Sequence, residues 1–234
     1  MANQVLLKCQ NLSKNYGNKQ ALSGVNFTIE KGRIVGLLGP NASGKTTLIK
    51  LIMGLLTPTE GDISIMGHKV GVESKGLVSY LPDRTYLDEY MRVKEVIAYF
   101  QDFYDDFVPA RAYEMLDNLG INPNDKIKTL SKGTKEKVQL VLVMSRRAAL
   151  YILDEPIAGV DPAARDYILR TILSNYEETA SILISTHLIA DIENILDDAI
   201  FLKEGRVNMA ATVEELRETE GKSIDAIFRE VYRC

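Results

Sequence analysis

The stretch GPNASGKT, residues 39–46, sets two glycines, a lysine and a threonine between an apolar run, IVGLLG, and a segment of helical spacing. Those residue types suit one chemistry. Gly39 and Gly44 let backbone N–H groups turn inward on an anion, at a helix N-terminus that already favours negative charge. Pro40, Asn41, Ala42 and Ser43 span the loop between them. Lys45 can neutralise the outer phosphates of a nucleotide, the Thr46 hydroxyl can ligate Mg²⁺, and Thr47 can reach the α-phosphate. The bland alternative is a glycine-rich turn with a stray lysine. At average residue frequencies this pattern arises by chance in roughly 1% of chains of this size, and the strand–loop–helix setting lowers that further.

A second stretch, LYILDEP at 150–156, is an apolar strand ending in two carboxylates. Ligands of nucleotide-binding sheets sit at the carboxyl ends of strands, so Asp154 can hold the Mg²⁺ shell and Glu155 can orient or deprotonate an attacking water. An Asp-Glu-Pro that merely ends a strand is common, and the phosphate loop in the same chain tips the reading toward function. His187 follows the apolar run SILIST, again at a strand end, where an imidazole can donate to phosphate. Tyr16, ahead of Gly17 in an early loop, can stack on a base, whereas His68 has no comparable setting. One further stretch asks for a reason. LSKGTKEKVQL, 130–140, begins like a helix capped by Ser131, yet Gly133 stands in its first turn, where glycine costs about 1 kcal/mol.

Positioning these groups needs a particular order of elements. From 4 to 38 the pattern is strand-like, with VNFTIE alternating and IVGLLG a buried run. A helix is expected from Gly44 to about Leu55, ended by TPTEG, then short strands at 63–66 and 77–81. From about 92 to 147 only helices are expected: VKEVIAYFQDFY, ARAYEMLDNLG and KEKVQLVLVMSR. In the stretch YFQDFYDDF, Tyr99, Phe103 and Phe107 fall at helical spacing and read as core packing rather than a binding surface. Alternation returns with LYILDE, a helix from Pro162, SILIST, a helix near 189–196, and DDAIFL. This is a helical insert in a parallel α/β core.

Bulk properties set outer limits. At 234 residues the chain can bury a sizeable core. Hydrophobic residues at 46% and charged residues at 26% exclude disordered and collagen-like classes. Lys+Arg 28 against Asp+Glu 32 leaves a formal charge of -4, which is not the footprint of a bulk nucleic-acid binder. Cys9 and Cys234 stand at opposite ends, with no disulfide framework and no zinc spacing, as in a reduced cytosolic protein. No apolar run approaches the ~18 residues that span a bilayer, and the start lacks a signal-peptide core.

Together these residues resemble the nucleotide-binding subunit of an ABC transporter over essentially the whole chain. Tyr16 matches the aromatic A-loop position, GPNASGKT the Walker A motif, YILDE the Walker B motif, GVDP (159–162) the D-loop and His187 the switch histidine. LSKGT occupies the place of the signature LSGGQ, with Lys132 and Thr134 replacing a glycine and the glutamine. Asp83, in YLPDRTYL, stands where the family has the Q-loop glutamine, and both side chains offer an oxygen. PDRTYL, LSKGT and DEPIAGVDPAARDY together look most like small bacterial ABC ATPases encoded apart from their membrane subunits, many serving exporters or antibiotic- and stress-responsive systems, and EGKSIDAIFREVY resembles their tail helix.

The resemblance implies a RecA-like P-loop NTPase core (1–87 and 148–212) with an antiparallel β subdomain, an inserted α-helical subdomain at 88–147 and a tail helix at 213–234. It implies ATP and Mg²⁺, the metal held by Thr46, Asp83 and Asp154. Glu155 would polarise the attacking water, with Lys45 and His187 stabilising the transferring phosphoryl group. Ser131 and the Gly133 N–H would close over the γ-phosphate of ATP on a second protomer, a homodimer mate or a paralogue. That explains a glycine in a helix's first turn: it permits close approach of backbone to phosphate. The implied partners are membrane-spanning subunits met near Tyr86 and Tyr90, with no nucleic acid. The implied place is the cytoplasm at the inner face of the membrane, with export favoured over import. A nucleic-acid ATPase of the same family is disfavoured, since no long coiled coil and no second nucleotide domain occurs. A P-loop GTPase or kinase is disfavoured by the lack of an NKxD motif.

Overall fold

The computed structural model describes residues 4–232 apart from 159, 161 and 178. Strands β1 (Val5–Tyr16) and β2 (Lys19–Glu30) form a long hairpin, followed by β3 (Ile34–Leu38) and α1 (Lys45–Ile52). Next come β4 (Glu60–Ile65), β5 (His68–Lys69), α2 (Val72–Gly76) and β6 (Val78–Leu81). Helices α3 (Val93–Phe103), α4 (Pro109–Asn118) and α5 (Lys132–Met144) follow with no strand between them. The remainder alternates: β7 (Leu150–Asp154), α6 (Pro162–Asn175), β8 (Ser181–Thr186), α7 (Ile189–Ile192), β9 (Asp198–Lys203) and β10 (Arg206–Thr212). Two helices, α8 (Val213–Glu220) and α9 (Ile224–Val231), close the described chain.

Two sheets result. The smaller has the order β2-β1-β4-β5 and is antiparallel. The larger runs β10-β9-β3-β8-β7-β6, parallel except for the β10 edge. Strands β3, β7 and β8 are buried at every position because both faces of the sheet are covered there. Tyr151, Leu153, Ile182, Ile184, Ala199 and Phe201 join the core shared with the helices. Their neighbours Leu150, Ile152, Leu183, Ile200 and Leu202 join the core beneath the antiparallel sheet and α1. This is the expected RecA-like α/β core with a β subdomain and a helical insert. All five parallel strands end toward one edge, where the chemistry-bearing residues gather.

Two expectations are corrected. Tyr99 and Phe103 are not core: they are 50% and 66% exposed, and their rings lie 4.7 Å apart on the outer face of α3. The buried stripe of that helix is Val93, Val96, Ile97 and Phe100, offset by about one position, and Phe107 is buried from the loop beyond the helix end. The tail is also not one helix. Gly221, at φ 64°, ends α8 in the left-handed conformation that glycine adopts freely, and Ser223 caps α9 by accepting from the Ala226 N–H. The D-loop residues Gly159 and Asp161 and Cys234 lie outside the described residues. Cys9 is a buried free thiol, and burial pushes it well above the ordinary thiol range.

Candidate functional site

Helix α1 begins at Lys45, and the turn into it depends on Gly44. That residue has φ 110°, a conformation closed to other side chains, and a Cβ there would stand 2.9 Å from Leu22 and 3.0 Å from the Ala21 carbonyl. Ala42 also adopts positive φ, and Ser43 is buried with its hydroxyl unpartnered. The loop therefore bows around a space instead of filling it. Tyr16, the segment from Asn41 to Thr47, Asp83, Glu155 and His187 all line that one cleft, of about 680 Å³.

At its floor the charged groups meet. Lys45 is 6% exposed, and its ammonium donates to the carbonyls of Gly39 (2.6 Å) and Pro40 (3.2 Å) while lying 3.7 Å from Glu155. Burial lowers its affinity for a proton, opposed by the carboxylates of Glu155 and Asp154. The Glu155 carboxylate is 3.0 and 3.1 Å from His187 Nδ1. Glu155 itself sits at φ 52°, a strained position for glutamate, pinned by its N–H to the Ser185 carbonyl at 2.8 Å. Tyr16 ends β1, nearly half exposed, with the Lys14 ammonium 5.5 Å from its ring centre.

Asp154 lines an adjoining cleft that shares Asp83 and Glu155 with the first. Neither of its carboxylate oxygens, nor the neighbouring Ser185 hydroxyl, has a well-formed hydrogen bond. Burial raises the Asp154 pKa, opposed by Ser185 and Lys45 and reinforced by Asp83 and Glu155. A buried, unpartnered carboxylate is costly unless a cation meets it. Thr46 lines the first cleft, Asp154 the second and Asp83 both, and oxygen donors of these types suit a hard divalent ion.

A stability prediction follows. A carboxyl that holds its proton more tightly when folded contributes stability that falls as pH rises above the ordinary Asp range. In its ionised form Asp154 therefore weighs against the metal-free fold. Asp154→Asn is expected to raise Tm in EDTA by about 2–4 °C for each 1 kcal/mol relieved. A lowered Tm in differential scanning calorimetry would contradict this.

Four sequence-predicted residues line neither cleft: Gly39 and Pro40, whose carbonyls hold Lys45, and Ser131 and Gly133. Ser131 caps α5, its Oγ accepting from Thr134 N–H at 3.2 Å, and both Ser131 and Gly133 are exposed and line neither cleft. Conversely, sequence reading missed Gln20, Ala21, Glu204 and Gly205, which line the site from the β1–β2 hairpin and the β9–β10 turn. Only the Glu-Gly pair between alternating runs signalled that turn. Gly205 N–H donates to the Ser43 carbonyl at 2.9 Å, tying the turn to the phosphate loop.

The arrangement has counterparts. The family model described as ABC transporter matches residues 22–158. The chain belongs to that family. As an ABC ATP-binding domain it is 33% identical over 97% of its length to the ABC-type transporter ATP-binding protein EcsA of Bacillus subtilis (strain 168), covering 95% of that protein. It is 32% identical to the SkfA peptide export ATP-binding protein SkfE of the same organism, over 91% of this chain and 92% of the other. A solved structure described as an ATP binding subunit of an ABC transporter superposes with TM-score 0.87 at 31% identity, covering 97% of this ABC domain and all of the other chain.

Proposed function

We propose that this chain binds MgATP in the 680 Å³ cleft and hydrolyses it as one of two protomers closing head to tail. That closure drives separate membrane-spanning subunits, in export rather than import. One observation carries the reading: Glu155 is held jointly by Lys45 and His187 at the mouth of the phosphate loop. A triphosphate entering the loop competes for both donors, and as they turn to the γ-phosphate the Glu155 carboxylate is freed for water. Thr46, Asp83 and Asp154 would hold Mg²⁺, which when bound supplies positive charge against the phosphates. Lys45 adds charge and His187 a hydrogen bond on the transferring group, and Glu155 takes the water's proton.

Ser131 and Gly133 face solvent, outside their own protomer's cleft, which supports their closing on ATP held by another copy. Export is supported by a relative named for peptide export. No helix among the described residues is long and apolar enough to cross a membrane. The surface near Tyr86 and Tyr90, which are 46% and 84% exposed, is suited to contact with membrane subunits.

Phosphate release from ATP by the purified chain, saturable in ATP and lost in EDTA, tests the activity; no release above background would refute it. Tyr16→Ala is expected to weaken ATP binding by about 1–3 kcal/mol, the worth of one base stack, while inorganic triphosphate binds unchanged. Equal loss for both ligands would remove Tyr16 from base contact. Asp83→Gln is expected to keep ATP binding and to shift the Mg²⁺ midpoint of hydrolysis, because it removes a carboxylate whose charge already acts on Asp154. An unchanged Mg²⁺ titration would sink that role.

A further inference from the structure

Helix α9 ends against the floor of the phosphate site. Tyr232, just beyond it, places its hydroxyl 3.0 Å from the Leu202 carbonyl and 3.3 Å from the Leu38 carbonyl. Its ring packs on Phe228 at 4.5 Å between centroids and stacks on Phe201 at 6.5 Å. Lys203 Nζ donates to the Val231 carbonyl at 2.8 Å, so the sheet also closes the end of the helix.

The two carbonyls belong to strand ends that feed the site. Leu38 is the last residue of β3, and Gly39 follows it at once. Leu202 precedes the turn of Glu204 and Gly205, which lines the cleft and holds the Ser43 carbonyl. Leu202 also bears directly on the phosphate loop: its carbonyl oxygen is only 2.6 Å from where a Cβ on Gly39 would stand. The Gly39 carbonyl in turn accepts from Lys45 at 2.6 Å. A run of contacts thus joins the Tyr232 hydroxyl to the Lys45 ammonium through Leu202 and Gly39.

We propose that Tyr232 is a positioning residue for the phosphate loop. Its hydroxyl, shared between two carbonyls, fixes the ends of β3 and β9 so that Gly39 presents Lys45 to the phosphates. Docking of α9 alone does not need this hydroxyl, since Ile224 and Ile227 already bury the helix's apolar face. Burial raises the Tyr232 pKa, so the phenol keeps the proton it donates at neutral pH. The inference rests on the reading that this cleft takes the phosphates of ATP.

The test is Tyr232→Phe, which keeps the ring and removes only the hydroxyl. The expected result is a rise of about three- to tenfold in KM for ATP, the range one net hydrogen bond supports. The Kd for inorganic triphosphate should rise by the same factor, because the effect is on the phosphates, and kcat should hold within about twofold, as loss of uniform binding predicts. Arg229→Ala, which breaks only the exposed pair with Asp225 on the same helix, should alter neither constant. Unchanged ATP and triphosphate affinities in Tyr232→Phe, whatever its Tm, would overturn the proposal, as would an equal shift in Arg229→Ala. Wild-type protein in the same titration separates the two readings. If wild type fails to bind ATP, the ATP reading and this inference fall together; if it binds and the variant binds equally, only this inference fails.

Discussion

Glu155→Gln is expected to hold ATP and to lose turnover, with kcat lower by about 10²–10⁴, the range a positioned general base contributes. Glutamine has the shape of glutamate, so it keeps the contact with His187 and the backbone bond to Ser185, and the cleft stays formed. What it lacks is a site for the water's proton. The native carboxylate is 13% exposed, touched by Lys45 at 3.7 Å and His187 at 3.0 Å. Its backbone strain at φ 52° costs on the order of 1–3 kcal/mol. A strand that merely ended here would relax that strain, whereas a group aimed into a phosphate site retains it. Phosphate release within about tenfold of wild type would assign the proton to another group, since one general base accounts for more than that.

Arg146→Ala is expected to be the most destabilising single change outside the cleft. Arg146 is 4% exposed and lies between helical insert and sheet. Its guanidinium meets the Asp106 carboxylate through two bonds, at 2.9 and 3.1 Å, and donates to the carbonyls of Val78 at 2.7 Å and Gly76 at 2.9 Å. The Tyr104 ring lies 3.9 Å from its centre. Removing one partner of a buried, hydrogen-bonded ion pair costs about 3–5 kcal/mol. For a domain of this size that lowers Tm by about 10 °C, at about 2–4 °C per kcal/mol. Asp106→Asn should cost less, because Arg146 keeps both carbonyls and the ring. A thermal melt in which Arg146→Ala moves by under 2 °C would show that the insert is held to the sheet by its apolar contacts alone.

Much of this site was legible because its parts are contiguous in sequence. GPNASGKT carries its own turn and helix start, and LYILDEP and SILIST carry apolar strands with the functional residue at the end, so local pattern sufficed. What escaped reading depends on distance along the chain. Gly205 reaches Ser43, Tyr232 reaches Leu38, and Arg146 reaches Val78; each contact is set by how strands stack, and no local period encodes it. Tyr99 and Phe103 misled for a related reason. Aromatic spacing of four residues marks a helix face but does not say which face is buried, and here the smaller Val96 and Ile97 beside Phe100 fill the core. The tail break at Gly221 was legible in principle, since glycine followed two residues later by serine is a stop and a start.

On the proposed function each site is completed by a second copy, with Ser131 and Gly133 closing on the other protomer's ATP. Size-exclusion chromatography with light scattering, on Glu155→Gln with Mg²⁺ and with or without ATP, tests it most directly. A shift from one chain of 26.1 kDa to twice that mass is expected on adding ATP, reversed when Ser131→Arg is introduced into the same variant. ATP bound at saturation with the mass unchanged at one chain would contradict it.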